Sequence, residues 1–398
     1  MFSNPKLDFG CSERFDTQRR YDASHGSKGE CDPLSPSANF PAKYMPAFRK
    51  HVPVAKSKSR IIVVGGGIMG ASAAWHLSKA GASVTLIERA PNCLVSATAS
   101  SFGWVGASAS TPSDNQPAFA ERLKALEEFA FIERELCPLP IAARGALLWR
   151  STEDETAAMI AEHQAAGTRM ERLTRSQIAE KVPRISNPPS FAAWAPADFA
   201  LEPGAFARQF LAGAQAAGAS VCQGTVEAIE SAGNRITGVV VDGNKLPANI
   251  VVLANGYGSR GVALTVGVDL PIHESPAVLL RFGKEADGLR HLVCAQEMEL
   301  RPSLGGGLVS AADYPESGET GLPALAALTG DAIADLFGIA TTPSLLSITA
   351  ARRPMTADGQ PLCGHVGSIE GLFALVAHPG VILAPLLGRR CAEAVLGS

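Results

Sequence analysis

The chain has 398 residues, 46% hydrophobic and 18% charged, enough apolar material for a large core over two or three domains' worth of chain. A net charge of −3 leaves no basic footprint for a nucleic-acid partner. Eight cysteines are scattered without C-x-x-C or metal-type spacing, so they read as reduced thiols of a cytoplasmic protein with no metal site.

Residues 1–57 are rich in Ser, Pro, Asp, Lys and Arg with few periodic apolar positions, the composition of a disordered N-terminal extension. No apolar run follows Arg19-Arg20, which argues against export, and the acidic residues argue against a transit peptide. Met45 is a second candidate for the start of translation. Ile61 to Val64 then form a β-branched run suited to a strand buried on both faces of a parallel sheet. Gly65, Gly67 and Gly70 follow with G-x-G-x-x-G spacing, and Ile68 and Met69 open an Ala-rich helix. The first glycine permits the tight turn, the second lets the backbone approach a pyrophosphate, and the third lets helix pack on strand. The free N–H groups and positive end of the helix complete an anion site. Gly81 reads as the helix stop and Ser83–Ile87 as the next strand. Glu88 ends that strand, where a carboxylate can accept hydrogen bonds from an adenosine ribose. This stretch identifies a dinucleotide site but leaves FAD and NAD both open.

Past Arg89, the run from Ser96 to Ser110 is rich in small residues, including Ser100 and Ser101, and is broken by Phe102-Gly103-Trp104. It could lie against a planar ring or a phosphate, or be a flexible polar loop. Residues 117–135 carry the apolar spacing of an amphipathic helix. From about 141 the texture turns to short strands, at 146–150, 191–195, 277–282 and 308–312, which suits an antiparallel domain. A helix at 205–217, a strand at 220–223, a hairpin at 226–229 and 236–241, and a buried strand at 250–254 return the chain to the nucleotide layer. Gly371–Gly388 lacks Asp, Glu, Lys and Arg, but His378-Pro379-Gly380 interrupts it. It reads as strand, turn and helix, so no transmembrane segment is expected.

Four separated stretches resemble the FAD-dependent D-amino-acid oxidase superfamily, in particular its glycine and sarcosine oxidase branch. They are the 65–88 fingerprint, Val251-Val-Leu-Ala-Asn-Gly256, Arg353-Pro-Met-Thr-Ala-Asp-Gly-Gln-Pro361, and Ala377-His-Pro-Gly-Val-Ile-Leu-Ala-Pro385. The resemblance implies an α/β fold. A Rossmann-type FAD-binding domain would occupy 58–140, 201–260 and 351–398, with a discontinuous substrate domain of antiparallel sheet plus helices at 141–200 and 261–350. It also implies FAD at Gly65, Gly67, Ile68, Met69 and Gly70, at Glu88 and Arg89, at Ser100 and Ser101, at Val226 (by its backbone to the adenine), and at Ala254 and Gly256. Gly380, Val381, Ile382 and Leu383 would meet the isoalloxazine ring. Ala351 stands where covalently flavinylated branches keep a cysteine, so the FAD is expected to be non-covalent.

By the same resemblance Arg353 would clamp the substrate carboxylate, as a guanidinium fork suits that group. Arg352 would point to the opposite face of its strand, and His378 would contact the ring or the substrate. The His-Pro-Gly turn is shorter than in glycine-oxidase-like members. The implied reaction is oxidation of a small amine or amino acid, with hydride passing to flavin N5 to give an imine and electrons passing on to oxygen or another acceptor. Two other readings remain open: an NAD-linked dehydrogenase, and a flavin-binding electron-transfer subunit without activity of its own.

Overall fold

The computed structural model describes residues 60–90, 96–136, 138–296 and 298–397. The expectations for residues 1–57 and for Met45 lie outside the described residues.

The chain opens with a βαβ unit: β1 (Arg60–Val64), α1 (Ile68–Lys79) and β2 (Ser83–Glu88). Gly81 ends the helix region at φ +86°, a conformation only glycine adopts freely. A short β3 (Trp104–Val105) precedes α2 (Gln116–Glu135), where Asn115 accepts a hydrogen bond from the Ala118 N–H at 3.1 Å. Next come β4 (Ile141–Trp149), α3 (Glu153–Ala165), β5 (Glu171–Thr174), α4 (Arg175–Lys181) and β6 (Phe191–Leu201). The chain continues through α5 (Pro203–Ala216), β7 (Ser220–Gln223), β8 (Val226–Ala232), β9 (Arg235–Val241), β10 (Asn244–Pro247), β11 (Ile250–Leu253) and α6 (Gly258–Leu264). It finishes with β12 (Ile272–Phe282), β13 (Leu292–Ala295), β14 (Met298–Pro302), β15 (Leu308–Asp313), α7 (Leu322–Phe337), β16 (Leu345–Thr356), β17 (Leu362–His365), β18 (Leu372–Val376) and α8 (Gly380–Leu396). No helix among the described residues is long and apolar enough to cross a membrane.

The first sheet runs in the order β17-β18-β11-β1-β2-β7. It is parallel except for the β17–β18 pair at its edge. Alternation along β1 divides its side chains between two cores. Ile61 and Val63 pack under α1, α5 and α8, whereas Ile62 and Val64 pack against the small sheet β10-β9-β8. A strand covered on both faces must be apolar throughout, which is why this run was readable.

The second sheet runs β16-β12-β15-β14-β13-β4-β6-β3, with β5 on β6. It is antiparallel except for β4 and β13, which pair in parallel. One face buries Leu147, Leu280, Val293 and Leu300 under α4 and α7. The other, with Leu148, Leu279, Cys294 and Val309, gathers Phe102 and Trp104. Residues 351–356 belong to this sheet, because β16 stays hydrogen-bonded along β12 as far as the Ile272–Thr356 pair. The chain therefore re-enters the first layer at Leu362, later than the expected boundary at 351. A fully buried Arg301 ties the layers together. Its Nε donates to the Phe102 carbonyl at 2.5 Å, and its other nitrogens pair with Glu202 at 2.8 and 3.2 Å.

Candidate functional site

The turn after β1 is built to leave backbone bare. Gly65 sits at φ +100°, and its N–H donates to the Ile87 carbonyl at 2.8 Å. A methyl group there would press on Ala254 O and Asn255 Cα; one on Gly70 would overlap the Gly65 carbonyl oxygen. A methyl group on Gly67 would come 3.2 Å from the Thr98 hydroxyl, which itself accepts the Ile68 N–H at 3.0 Å. Neither α1 nor α8 has an acidic residue in its first turn, so no charge within either helix offsets its positive end.

At the end of β2 the Glu88 carboxylate accepts the Gly66 N–H at 2.5 Å and the Ala90 N–H at 2.9 Å, which fixes it beside the glycine turn. Arg89 is exposed. Ser100 and Ser101 lie in tight turns, their N–H groups bonded to Ser96 and Thr98 carbonyls at 3.2 Å. Val226 starts β8 and is buried in the same core as Ile87. Ala254 is buried, and Gly256 takes φ +62° just after β11.

The two ends of the chain's site residues meet here. A methyl group on Gly380, the first residue of α8, would lie 3.8 Å from both Ile68 and Met69 at the start of α1. One turn on, Ser72 Oγ donates to the Ala384 carbonyl at 2.7 Å. Val381, Ile382 and Leu383 are buried in the shared core. Two helix N-termini without acidic first-turn residues thus lie close together, one behind a glycine cradle with Glu88 at its edge. That donor set fits FAD: Gly65, Gly67 and Gly70 would hold the pyrophosphate, Glu88 would lie at the ribose, and Gly380–Leu383 would meet the ring.

Beside this pair lies a cavity of about 410 Å³, bounded by the His378-Pro379 turn and Leu383, by Trp104 and the loop to Thr111, by Phe119 and Arg122 of α2, and by Leu148, Cys294 and Glu299 of the second sheet. The Trp104 loop is anchored by the buried Asp198, which accepts the Trp104 indole N–H at 2.8 Å and the Ser108 hydroxyl and N–H at 2.5 and 3.3 Å. A methyl group on Gly106 would overlap that carboxyl. Burial pushes the Asp198 carboxyl up to about 6 despite these donors. Arg122 donates to the Gly106 carbonyl at 3.1 Å.

Burial, followed by the charges of Arg353 and Arg122, brings His378 down to about 4, so a neutral imidazole faces the cavity at neutral pH. Arg353 does not itself line the cavity. It stands on β16, bonded to Ser275 Oγ at 2.9 Å and to the Pro276 carbonyl at 3.1 Å, with the exposed Asp313 carboxylate 3.8 Å away. Arg352 points the other way and pairs with Glu274 at 3.0 Å, as strand alternation requires. Arg122, Arg150, Asp198 and Glu299 had no motif to announce them. They come from four separate parts of the chain, and only folding brings Arg122, Arg150 and Glu299 to one cavity with Asp198 behind its Trp104–Ser108 wall.

Residues 60–394 match the family model described as DAO, FAD dependent oxidoreductase. Glycine oxidase from Bacillus licheniformis is 26% identical over 349 residues, covering 85% of this chain and 93% of that protein. Among solved structures, glycine oxidase from Bacillus cereus ATCC 14579 superposes with a TM-score of 0.73 at 19% identity, over 85% of this chain and 95% of that one. Iminodiacetate oxidase from Chelativorans sp. BNC1 gives a TM-score of 0.72 at 19% identity, over 85% and 96%. Likeness at that identity carries the fold.

Proposed function

The chain belongs to the DAO family of FAD-dependent oxidoreductases, and from that premise we propose that it oxidises the C–N bond of a small amino acid or N-alkyl amino acid. Bound FAD supplies the two-electron acceptor for hydride from the substrate Cα. The protein's own residues bind, orient and exclude water. The observation that carries the reading is the meeting of Gly380 with Ile68 and Met69. The cavity lies beside that contact, with His378 and Leu383 in its lining and Arg353 on β16 outside it. Arg353 takes the substrate carboxylate, and the uncharged His378 contacts ring or substrate without repelling a substrate cation. Ala351 offers no thiol for a covalent flavin bond, so the FAD is held by contacts alone. Names of relatives that include glycine and iminodiacetate oxidases support an amine-bearing acid as substrate. Oxygen or another carrier would take the electrons afterwards.

The test begins with colour. Purified protein should be yellow, and acid precipitation should release the flavin to the supernatant. A colourless protein that takes up NAD would replace this reading with a nicotinamide enzyme. D-amino acids, glycine, sarcosine, proline and dimethylglycine should then be screened anaerobically for bleaching of the flavin. A yellow protein bleached by none of them would point to an electron-transfer subunit. Once a reducing amine is found, Arg353→Ala should keep the flavin and raise KM by the loss of a charge-assisted pair, about 1.5–3 kcal/mol. Unchanged steady-state kinetics would remove Arg353 from the site.

A further inference from the structure

The sheet face that floors the cavity carries one misplaced charge. Following the register across the second sheet, Leu148 of β4, Cys294 of β13, Glu299 of β14, Ala311 of β15, Leu279 of β12 and Thr349 of β16 stand side by side on one face. Glu299 is the one carboxylate in this row, and its apolar neighbours belong to the core that gathers Phe102 and Trp104. It lines the cavity together with the His378-Pro379 turn. The residue is half-buried, and among the described residues no hydrogen bond or ion pair engages its carboxylate; withdrawing an unpaired carboxylate even partly from water is costly. Alternation along β16 from Thr349 through Ala351 puts Arg353 on this same face, toward the rim. A carboxylate and a guanidinium therefore share one face of this sheet, Glu299 in the cavity's lining and Arg353 outside it.

We propose that Glu299 is a catalytic residue whose carboxylate binds the substrate ammonium and takes one of its protons, leaving the neutral amine from which hydride departs. In the first step an N–H bond breaks, its electron pair stays on nitrogen, and the proton joins a Glu299 oxygen. The Cα–H bond then breaks with its pair passing to bound FAD, and the nitrogen lone pair closes the C=N bond. The substrate is oxidised by two electrons to an iminium ion and the cofactor is reduced by two. This rests on the amine-substrate reading above.

The surroundings suit that role. Burial raises the Glu299 carboxyl to about 7; Arg150, at the end of β4, pulls it down and Asp313 of β15 pushes it up. Cys294 adjoins it on β13, and across the cavity stand Asp114, Glu121 and Arg122 with His378. Glu121 is held by Arg390 and Lys124, and His378 is neutral, so neither competes for the ammonium. A group that ionises near 7 is a carboxylate at slightly alkaline pH and can still hold an accepted proton.

The experiment uses the holoenzyme and the reducing amine identified above. Anaerobic flavin reduction should be followed by rapid mixing from pH 6 to 10 in wild type, Glu299→Gln and Glu299→Asp. Wild type should show an acid limb near 7 and then a plateau. Glu299→Gln should be about 100-fold slower at pH 8, with a rate that climbs toward the amine's own pKa, and Glu299→Asp should recover part of the loss. Acetate, which lacks the amine, should still perturb the flavin spectrum of Glu299→Gln at least as strongly as in wild type. A Glu299→Gln enzyme with the wild-type rate and limb overturns the assignment, and so does one that has lost acetate binding as well. If no amine reduces the wild type, the amine reading fails first and this proposal falls with it.

Discussion

His76 shows how a single residue sets a limit on the acid stability of this protein. It is buried in α1 against Trp75, with ring centroids 4.6 Å apart, and its Nε2 has no hydrogen-bond partner. Burial, then the charges of Arg389 and Lys79, lowers it to about 3. In the unfolded chain it takes a proton near 6.5, so its contribution is intact above that pH and is lost as pH falls toward 3. His378, lowered to about 4, acts in the same direction. The expected result is a melting temperature that drops as pH falls from 6.5 to 4, and a shallower drop for His76→Leu. Parallel curves for the two proteins would remove His76 as a cause. Legibility at this scale divides cleanly. The placement of Glu88 beside the three-glycine turn was readable because a backbone turn dictates these residue types and their spacing. Glu299 and Asp198 were not, because a charge on an inward strand position looks in sequence like one on an outward position until the register is known.

Among elements, the contact that matters most is that of α1 with α8. Ser72 and Gly388 meet so closely that a methyl group on Gly388 would overlap the Ser72 hydroxyl, and Ser72 already donates to Ala384. Gly388→Ala should destabilise the fold by about 1–3 kcal/mol through overpacking. It should also weaken flavin retention, since both helix N-termini move apart. Flavin released on dilution, compared with wild type, checks this; equal retention would show the helices relax elsewhere. The strand-turn-helix reading of Gly371–Gly388 matches β18, the turn and α8, because charge-free sequence split by His-Pro-Gly has few alternatives. Helices α3 and α7 were not anticipated. For α3 the signal existed: Thr152 and Glu155 form a reciprocal capping box, with the Glu155 N–H donating to Thr152 Oγ1 at 3.2 Å and the Thr152 N–H to Glu155 Oε2 at 3.1 Å. α7 has Pro323 in its first turn and Gly338 at its end at φ +61°, but its apolar run is as consistent with strand as with helix.

At the scale of the whole molecule, FAD should act as part of the fold. The proposed site would draw on β1, α1 and β2, on the Ser96–Ser110 stretch, and on α8. A ligand that binds only the folded chain adds stability by mass action, about 2.7 kcal/mol when its free concentration is a hundred times Kd. Stripped protein should therefore melt lower, with the transition rising as FAD is added back. A melting temperature indifferent to FAD would mean the cradle is already rigid without it. The two-layer plan was visible in sequence because continuous apolar parallel strands and short antiparallel ones bounded by turns differ in texture. The late boundary was not, since β16 crosses from one pattern to the other while keeping a single hydrogen-bonded partner in β12.

The pairing of α1 with α8 also sets an order of events during synthesis. Ile68 and Met69 leave the ribosome early, whereas Gly380, which completes their half of the cradle, is made some three hundred residues later. Until then the chain offers only the β1–α1 half of the cradle. A cradle that needs both halves can hold its cofactor fully only once α8 has been made and has packed on α1.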